Sequence, residues 1–284
     1  RQSTQGEELM HIGLGTILTS YSIDIADLAP RVEEMGFDSI WTGEQPTLPV
    51  ETEIDIPRLW GDIPDPLIQL ARASAVTKDL LLGTAVCVVT ERHPVSFAKE
   101  VASLDMYSGG RVLLGIGTGS LKEEAAIFGS DFPHRWTQAR EAVGALKELW
   151  TKEVSEWHGD YYDFPPLYCF PKPAQEPHPP LLFGSHVPQV FKRIVEYGDG
   201  WIPIGRSPEE IAEAREKLSD LAEEAGRDPA AITITCTDVP IDRDVIAAYE
   251  KAGANRVVLS LDNADKGTSF KQLEKIAKEA GLGS

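Results

Sequence analysis

The chain has 284 residues, 42% of them hydrophobic, and a formal net charge of −18. That length supplies one large core or two small ones, and the negative field argues against nucleic acid and anionic membranes as partners, since both need a positive one. No apolar run approaches the ~20 residues of a membrane-spanning helix.

The polar stretch Arg1–Leu9 precedes Met10, which opens an apolar strand. It is expected to be a leader, an expression remnant or a short tail, with residues 10–284 forming one domain. Apolar runs predict strands at His11–Thr16, Ser39–Thr42, Leu81–Val89, Val112–Ile116, Leu181–Phe183, Trp201–Ile204, Ile232–Cys236 and Arg256–Leu261. Helical periodicity follows each one, at about Ile25–Met35, Pro66–Thr77, Val95–Tyr107, Thr137–Trp150, Pro188–Tyr197, Pro208–Ala225, Val245–Ala252 and Phe270–Ala280. The strands are continuous apolar runs, as expected where both faces are covered. Eight strand–helix units in roughly 250 residues predict an α/β fold of the (β/α)8 TIM-barrel type. An open doubly wound sheet shares the alternation, but no dinucleotide fingerprint opens the chain.

Helix ends are marked in the sequence. Asp24 and Ser207-Pro208 are set to open helices, and Gly36, Gly226 and Gly253 each follow one. Two connections are long. Gln45–Pro64 follows the second strand, on the catalytic face of a barrel. Thr151–Pro180 is an insertion before the fifth strand, rich in proline and aromatics, expected to pack over the barrel or to contact a second subunit. Cys87, Cys169 and Cys236 show no metal or redox spacing and read as buried, reduced thiols of a cytoplasmic protein. No His/Cys/Asp cluster has metal spacing.

Two loops carry candidate chemistry. Leu114–Ser120, LGIGTGS, ends the fourth strand, and its glycines let backbone approach a flat ring or a phosphate. Gly184-Ser185-His186 lies between the fifth strand and its helix, where free N–H groups and the positive dipole end suit a phosphate. Ser185 could equally be a plain helix cap, and His186 a solvated side chain. Several charges read as structural: Arg111, at the start of a strand, is expected to pair with an acid; Arg135 and Glu141 to pack and cap; His93-Pro94 to open a helix; Asp199 to shape a turn.

The run RHPVSFAKEVASLDMYSGGRVLLGIGTG, with MHIGLG, GFDSIWTGEQ and PPLLFGSHVPQVFKRIVEYGDGWIPI in order, resembles the luciferase-like superfamily of flavin and deazaflavin oxidoreductases, most of all its coenzyme F420 branch. The resemblance implies a hydride transfer between C5 of the deazaflavin and a small organic substrate. It places Thr118 and Gly119 beside the ring, and a non-proline cis bond at Ala85–Val86 behind it. Gly184, Ser185 and His186 would take the phosphate, and Arg206 the acidic tail. Glu44, Gln45 and Ser120 would line the substrate beneath the Gln45–Pro64 loop. Gln45 stands where the sugar-phosphate dehydrogenases of the superfamily carry a histidine, and Ser120 where they carry a general-acid glutamate. An amide cannot take a proton at neutral pH, so Glu44 is the one ionisable group expected near the ring. The alternatives are an FMN-dependent monooxygenase and a non-catalytic flavin-binding barrel. Relatives are often dimers, so a homodimer is expected.

Overall fold

A computed structural model describes residues 10–283; the expected leader over 1–9 lies outside them. Eight parallel strands close into a barrel. They are β1 (His11–Thr16), β2 (Ser39–Thr42), β3 (Leu81–Thr84 and Cys87–Val88), β4 (Val112–Gly117), β5 (Leu181–Phe183), β6 (Gly200–Trp201), β7 (Thr233–Thr237) and β8 (Arg256–Leu261). Closure runs through β8 and β1, paired over six residues from His11↔Arg256 to Thr16↔Leu261, and through β3 and β4, paired at Leu82↔Val112. The expected TIM barrel is the observed fold.

The helices are α1 (Ile25–Glu34), α2 (Pro66–Ser74), α3 (Pro94–Ser108), α4 (Lys122–Phe128), α5 (Arg135–Thr151), α6 (Val190–Tyr197), α7 (Pro208–Glu224), α8 (Arg243–Lys251) and α9 (Lys266–Ala280). Their ends follow local chemistry. Asp24 accepts from the Ala26 amide to start α1, and Ser207 and Glu210 form a reciprocal capping box on α7, with Pro208 at its first position. His93 Nδ1 accepts from the Val95 amide to open α3. The glycines after α1, α7 and α8 have φ of +86°, +70° and +89°, the left-handed conformation that ends a helix at little steric cost. Among the described residues no helix is long and apolar enough to cross a membrane.

Apolar packing forms two layers. The larger lies between strands and helices, around Leu14, Ile40, Leu82, Phe97, Leu146 and Leu259. The smaller fills the barrel interior with Trp41, Leu182, Ile202 and Val258, and Ala85 and Val86 pack against it. The Trp41 ring occupies the space a side chain at Gly83 would need: a Cβ there would stand 2.2 Å from the ring.

The insertion before β5 forms an antiparallel hairpin, Ser155–His158 with Asp163–Leu167, packed on α5. Glu141 holds it, accepting from the amides of Asp160, Tyr161 and Tyr162. Arg135 donates to the Phe132 carbonyl, and Asp199 accepts from the Leu181 amide. Arg111 departs from expectation. Among the described residues it pairs with no acid, and donates instead to the carbonyls of Ser74, Thr77, Leu80 and Ser108 and to the Thr77 hydroxyl. The carbonyls past the end of α2 offer a cation what a carboxylate would.

Candidate active site at the barrel mouth

A cavity of about 460 Å³ opens at the carboxyl ends of the strands, within the range of small-molecule sites. Trp41, Ala85 and Val258 line it, together with Thr16, Thr42, Thr237 and Ser260 from the strand tips. Leu59 and Trp60 of the Gln45–Pro64 loop contribute from above, so that loop does overhang the mouth. Asp238, Asp262 and Asn263 complete the rim, and among the described residues no cationic side chain lines it. The hydroxyls of Thr16 and Thr42 are buried and have no partner among the described residues. A larger cavity of about 880 Å³ opens at the opposite end. Its Arg215 and Asn255 are already committed to backbone groups and to each other, and barrel chemistry belongs to the carboxyl-terminal face.

β3 is interrupted between Thr84 and Cys87, and the Ala85–Val86 peptide there is cis. This explains the glycines of β4. A Cβ on Gly115 would stand 1.9 Å from the Thr84 carbonyl oxygen, and one on Gly117 would stand 2.7 Å from Val86 Cγ2. A Cβ on Gly184 would likewise meet Val86 Cγ1 at 2.7 Å. Three glycines that read as ligand-facing are thus required by the interruption in the neighbouring strand. Gly119 has φ of +72° and turns the chain at the tip of β4 beside buried Thr118. Ser120 follows and is exposed.

On the far side of the mouth, the loops after β5 and β6 meet. Trp201 Nε1 donates to the Ser185 carbonyl at 2.9 Å, and Ser185 Oγ accepts from the Val187 amide. α6 starts at Val190, later than expected, and Gln189 rather than Ser185 precedes it, without a side-chain cap. The amides of Ser185 and His186 have no acceptor among the described residues. Arg206 Nη2 lies 3.1 Å from His186 Nδ1, and its Nη1 pairs with Glu210 at 2.6 Å. Burial and the Arg206 charge hold His186 below its ordinary value. Free amides beside a guanidinium make a cradle for an anion.

The sequence model of the luciferase-like monooxygenase family matches residues 13–281. The chain belongs to that family. It is 32% identical to an uncharacterised protein of Mycobacterium tuberculosis, over 94% of this chain and 98% of that one. It is 30% identical to an F420-dependent glucose-6-phosphate dehydrogenase of Amycolatopsis mediterranei, over 90% of this chain and 77% of that one. Among solved structures, the monooxygenase RslO1 of Streptomyces bottropensis shares the fold with a TM-score of 0.78 at 20% identity, covering 95% and 98% of the two chains.

Within this family fold, the carboxyl groups near the mouth have distinct surroundings. Glu44 is no free acid. Its side chain is 3% exposed, accepts from the Val88 amide at 2.6 Å and from Arg92 Nε at 2.9 Å, and so anchors the strand just past its interruption. Burial outweighs Arg92 and leaves its carboxyl above the ordinary range. Arg92 also reaches Asp65 and Glu100. Gln45 donates to Glu124 and to the Thr47 carbonyl, each at 2.8 Å. Glu44 and Gln45 line a separate pocket of about 290 Å³, with Pro64, Glu91, Arg92 and Phe128. Among the described residues no three His, Cys, Asp or Glu side chains converge as a metal-ligand set.

Glu91 carries no sequence signal of what the fold makes of it. It ends a short turn after β3, is 9% exposed, and both carboxyl oxygens lack a partner among the described residues. Burial, with the charges of Glu124 and Glu44, pushes it up to about 8. A lone glutamate ending an apolar run looks like any other; only the tertiary packing removes its solvent.

Proposed function

We propose that the protein is an F420-dependent oxidoreductase that transfers a hydride between the deazaflavin C5 and a small organic substrate. The observation that carries this reading is the meeting, at one end of the barrel, of an apolar-floored cavity and an anion cradle. Ile204 lines the cavity, and Arg206, two residues on, reaches His186 in the cradle. The residues present fit the group: Ala85 offers backbone at the cavity floor, the Ser185 and His186 amides suit a phosphate, and Arg206 suits an acidic tail. When bound, the cofactor supplies the two-electron chemistry, and the protein supplies binding and orientation.

The chain's own residues then set the reaction. Thr118 and Gly119 shape the turn at the tip of β4. Leu59 and Trp60 cover the mouth and exclude water. With acceptors at Asp238, Asp262 and Asn263 and no cation among the lining residues, the mouth suits a neutral substrate over a sugar phosphate. This agrees with an amide at Gln45 and a hydroxyl at Ser120 in place of an acid–base pair.

The relatives near 30% identity named as F420-dependent favour the deazaflavin; the family's monooxygenases keep FMN as the competing ligand, since the cradle suits either phosphate. Titration with F420 and FMN, followed by fluorescence, decides between them. Saturable binding of F420, with turnover of the reduced form against a panel of enones, quinones and alcohols, is the expected result. Binding of FMN alone would favour a monooxygenase, binding without turnover a non-catalytic barrel, and binding of neither would overturn the reading. The expected homodimer is part of the same proposal, and sedimentation measures it.

A further inference from the structure

We propose that the cradle after β5 takes up a proton together with its anion: Arg206 presents His186 as the neutral Nε2–H tautomer, and a tetrahedral anion such as phosphate converts that ring to the imidazolium, so that binding tightens as pH falls. The natural anion, a cofactor phosphate, rests on the reading above. The proton coupling rests on the contact between His186 and Arg206.

A guanidinium donates and never accepts, so the nitrogen facing it must hold a lone pair. Arg206 Nε and Nη2 lie 3.3 and 3.1 Å from His186 Nδ1. The proton of the neutral ring is therefore on Nε2. Arg206 is itself held firmly. Its Nη1 donates to Glu210 at 2.6 Å, and its carbonyl accepts from the Tyr249 hydroxyl. Glu210 is anchored in turn by the Ser207 amide at 2.8 Å. Arg206 is thus a positioning residue that fixes both the tautomer and the direction of the His186 ring.

Protonating Nδ1 takes away the acceptor that Arg206 uses and sets a second cation beside it. Burial and the Arg206 charge accordingly hold His186 below its ordinary value, against the pull of Glu210. The other charged groups nearby come from three elements. Glu213 and Lys217 of α7 line the same pocket of about 230 Å³. Asp238, past β7, lies beyond Gly205, where a Cβ would stand 3.7 Å from its Oδ2. From the α6 side the pocket is lined by Val190 and Phe191, which carry no charge.

An anion reverses this balance. The His186 side chain is exposed and shares the pocket with Arg206, so an anion in solution reaches both. Placed between ring and guanidinium, it gives each a common acceptor, and Nδ1 takes a proton from solvent and donates it to the anion. By reciprocity, whatever the anion adds to the proton affinity of His186, the proton adds to the affinity for the anion. The chain carries a net charge of −18, which repels anions at a distance. A ring that becomes cationic as its ligand arrives offsets that field at the point of contact.

Sulfate is the probe, because it remains a dianion across the range in which histidine titrates. Nitrogen NMR of the imidazole rings, with His186 identified by the signal missing in His186→Asn, should show Nε2 protonated and Nδ1 bare at neutral pH. Sulfate should move the His186 titration to higher pH, and should bind about tenfold more tightly at about pH 5 than at about pH 8. His186→Asn should flatten that dependence. Arg206→Ala should let His186 sample both tautomers and titrate closer to its ordinary value, an effect that a merely structural arginine would not have. A proton on Nδ1 at neutral pH, absence of sulfate binding, or the same tenfold dependence in His186→Asn would overturn the proposal. If His186→Asn does not fold, the wild-type titrations with and without sulfate, compared with Arg206→Ala, carry the same test. Proton-linked sulfate binding in a protein that binds neither F420 nor FMN would support the proposal while overturning the oxidoreductase reading.

Discussion

The two ends of the barrel treat their polar groups in opposite ways. At the amino-terminal end half-buried charges are taken up by backbone groups. Arg111 collects the carbonyls around the end of α2, Arg227 those of Ile194, Val195 and Gly198 at the end of α6, and Arg215 those of Ile232 and Gly253. The Glu33 carboxylate accepts from three successive amides, Lys78, Asp79 and Leu80. At the carboxyl-terminal end Thr16, Thr42 and Glu91 are buried with free hydrogen-bonding capacity. An end whose charged groups are taken up by backbone is built for stability; one that leaves a carboxyl and hydroxyls waiting is built for a ligand.

That contrast can be broken by substitution. Arg111→Ala strands several carbonyls at once and should cost about 3 kcal/mol of unfolding free energy, while leaving F420 affinity unchanged; urea denaturation and fluorescence titration measure the pair. An affinity loss as large as the stability loss would show that the two ends are coupled. Gly117→Ala drives a methyl group into Val86 and should cost about 1–3 kcal/mol, with cofactor binding weakened as well, because Val86 packs under the mouth.

Glu91→Gln sharpens the contrast through pH. The folded protein holds the Glu91 proton up to about 8, against an ordinary 4.5. Between those values the native state binds more protons than the unfolded one, so the contribution is fully present below the ordinary value and is lost as pH rises toward 8. Glu91→Gln should flatten the fall in stability across that window by up to about 1.4 kcal/mol per pH unit. Denaturation series from pH 5 to about 8 read this slope, and an unchanged slope would mean that Glu91 ionises normally.

Arg206→Ala should weaken F420 binding about tenfold, or about 1.4 kcal/mol, and shift stability by less than about 0.5 kcal/mol, because its ion pair with Glu210 is a surface contact. A stability loss without a binding loss would reverse the roles assigned to the two ends.

The barrel itself was legible because its strands are bounded apolar runs. His11–Thr16, Ser39–Thr42, Leu181–Phe183 and Arg256–Leu261 have the predicted limits. β6 is shorter than its apolar run because Pro203 has no N–H to give the ladder. α4 was not legible, being seven residues long with little apolar periodicity. The site was legible only in part. The fold brings His186 and Arg206 together, and it commits Glu44 to structure and Gln45 to Glu124. The glycines of β4 could not be interpreted from sequence, because what fills their empty side is a carbonyl and a valine from β3.

The short helix α4 has one more effect. Its opening residues tie down the loop that roofs the mouth: Glu124 binds the Thr47 amide, Glu123 the Glu53 amide, and Lys122 pairs with Glu53. Roof and fastener lie outside the eightfold repeat, and they meet through side chains at a few points. They form a cassette that evolution or an engineer could exchange as a unit, re-tailoring which molecules enter while the scaffold below stays untouched.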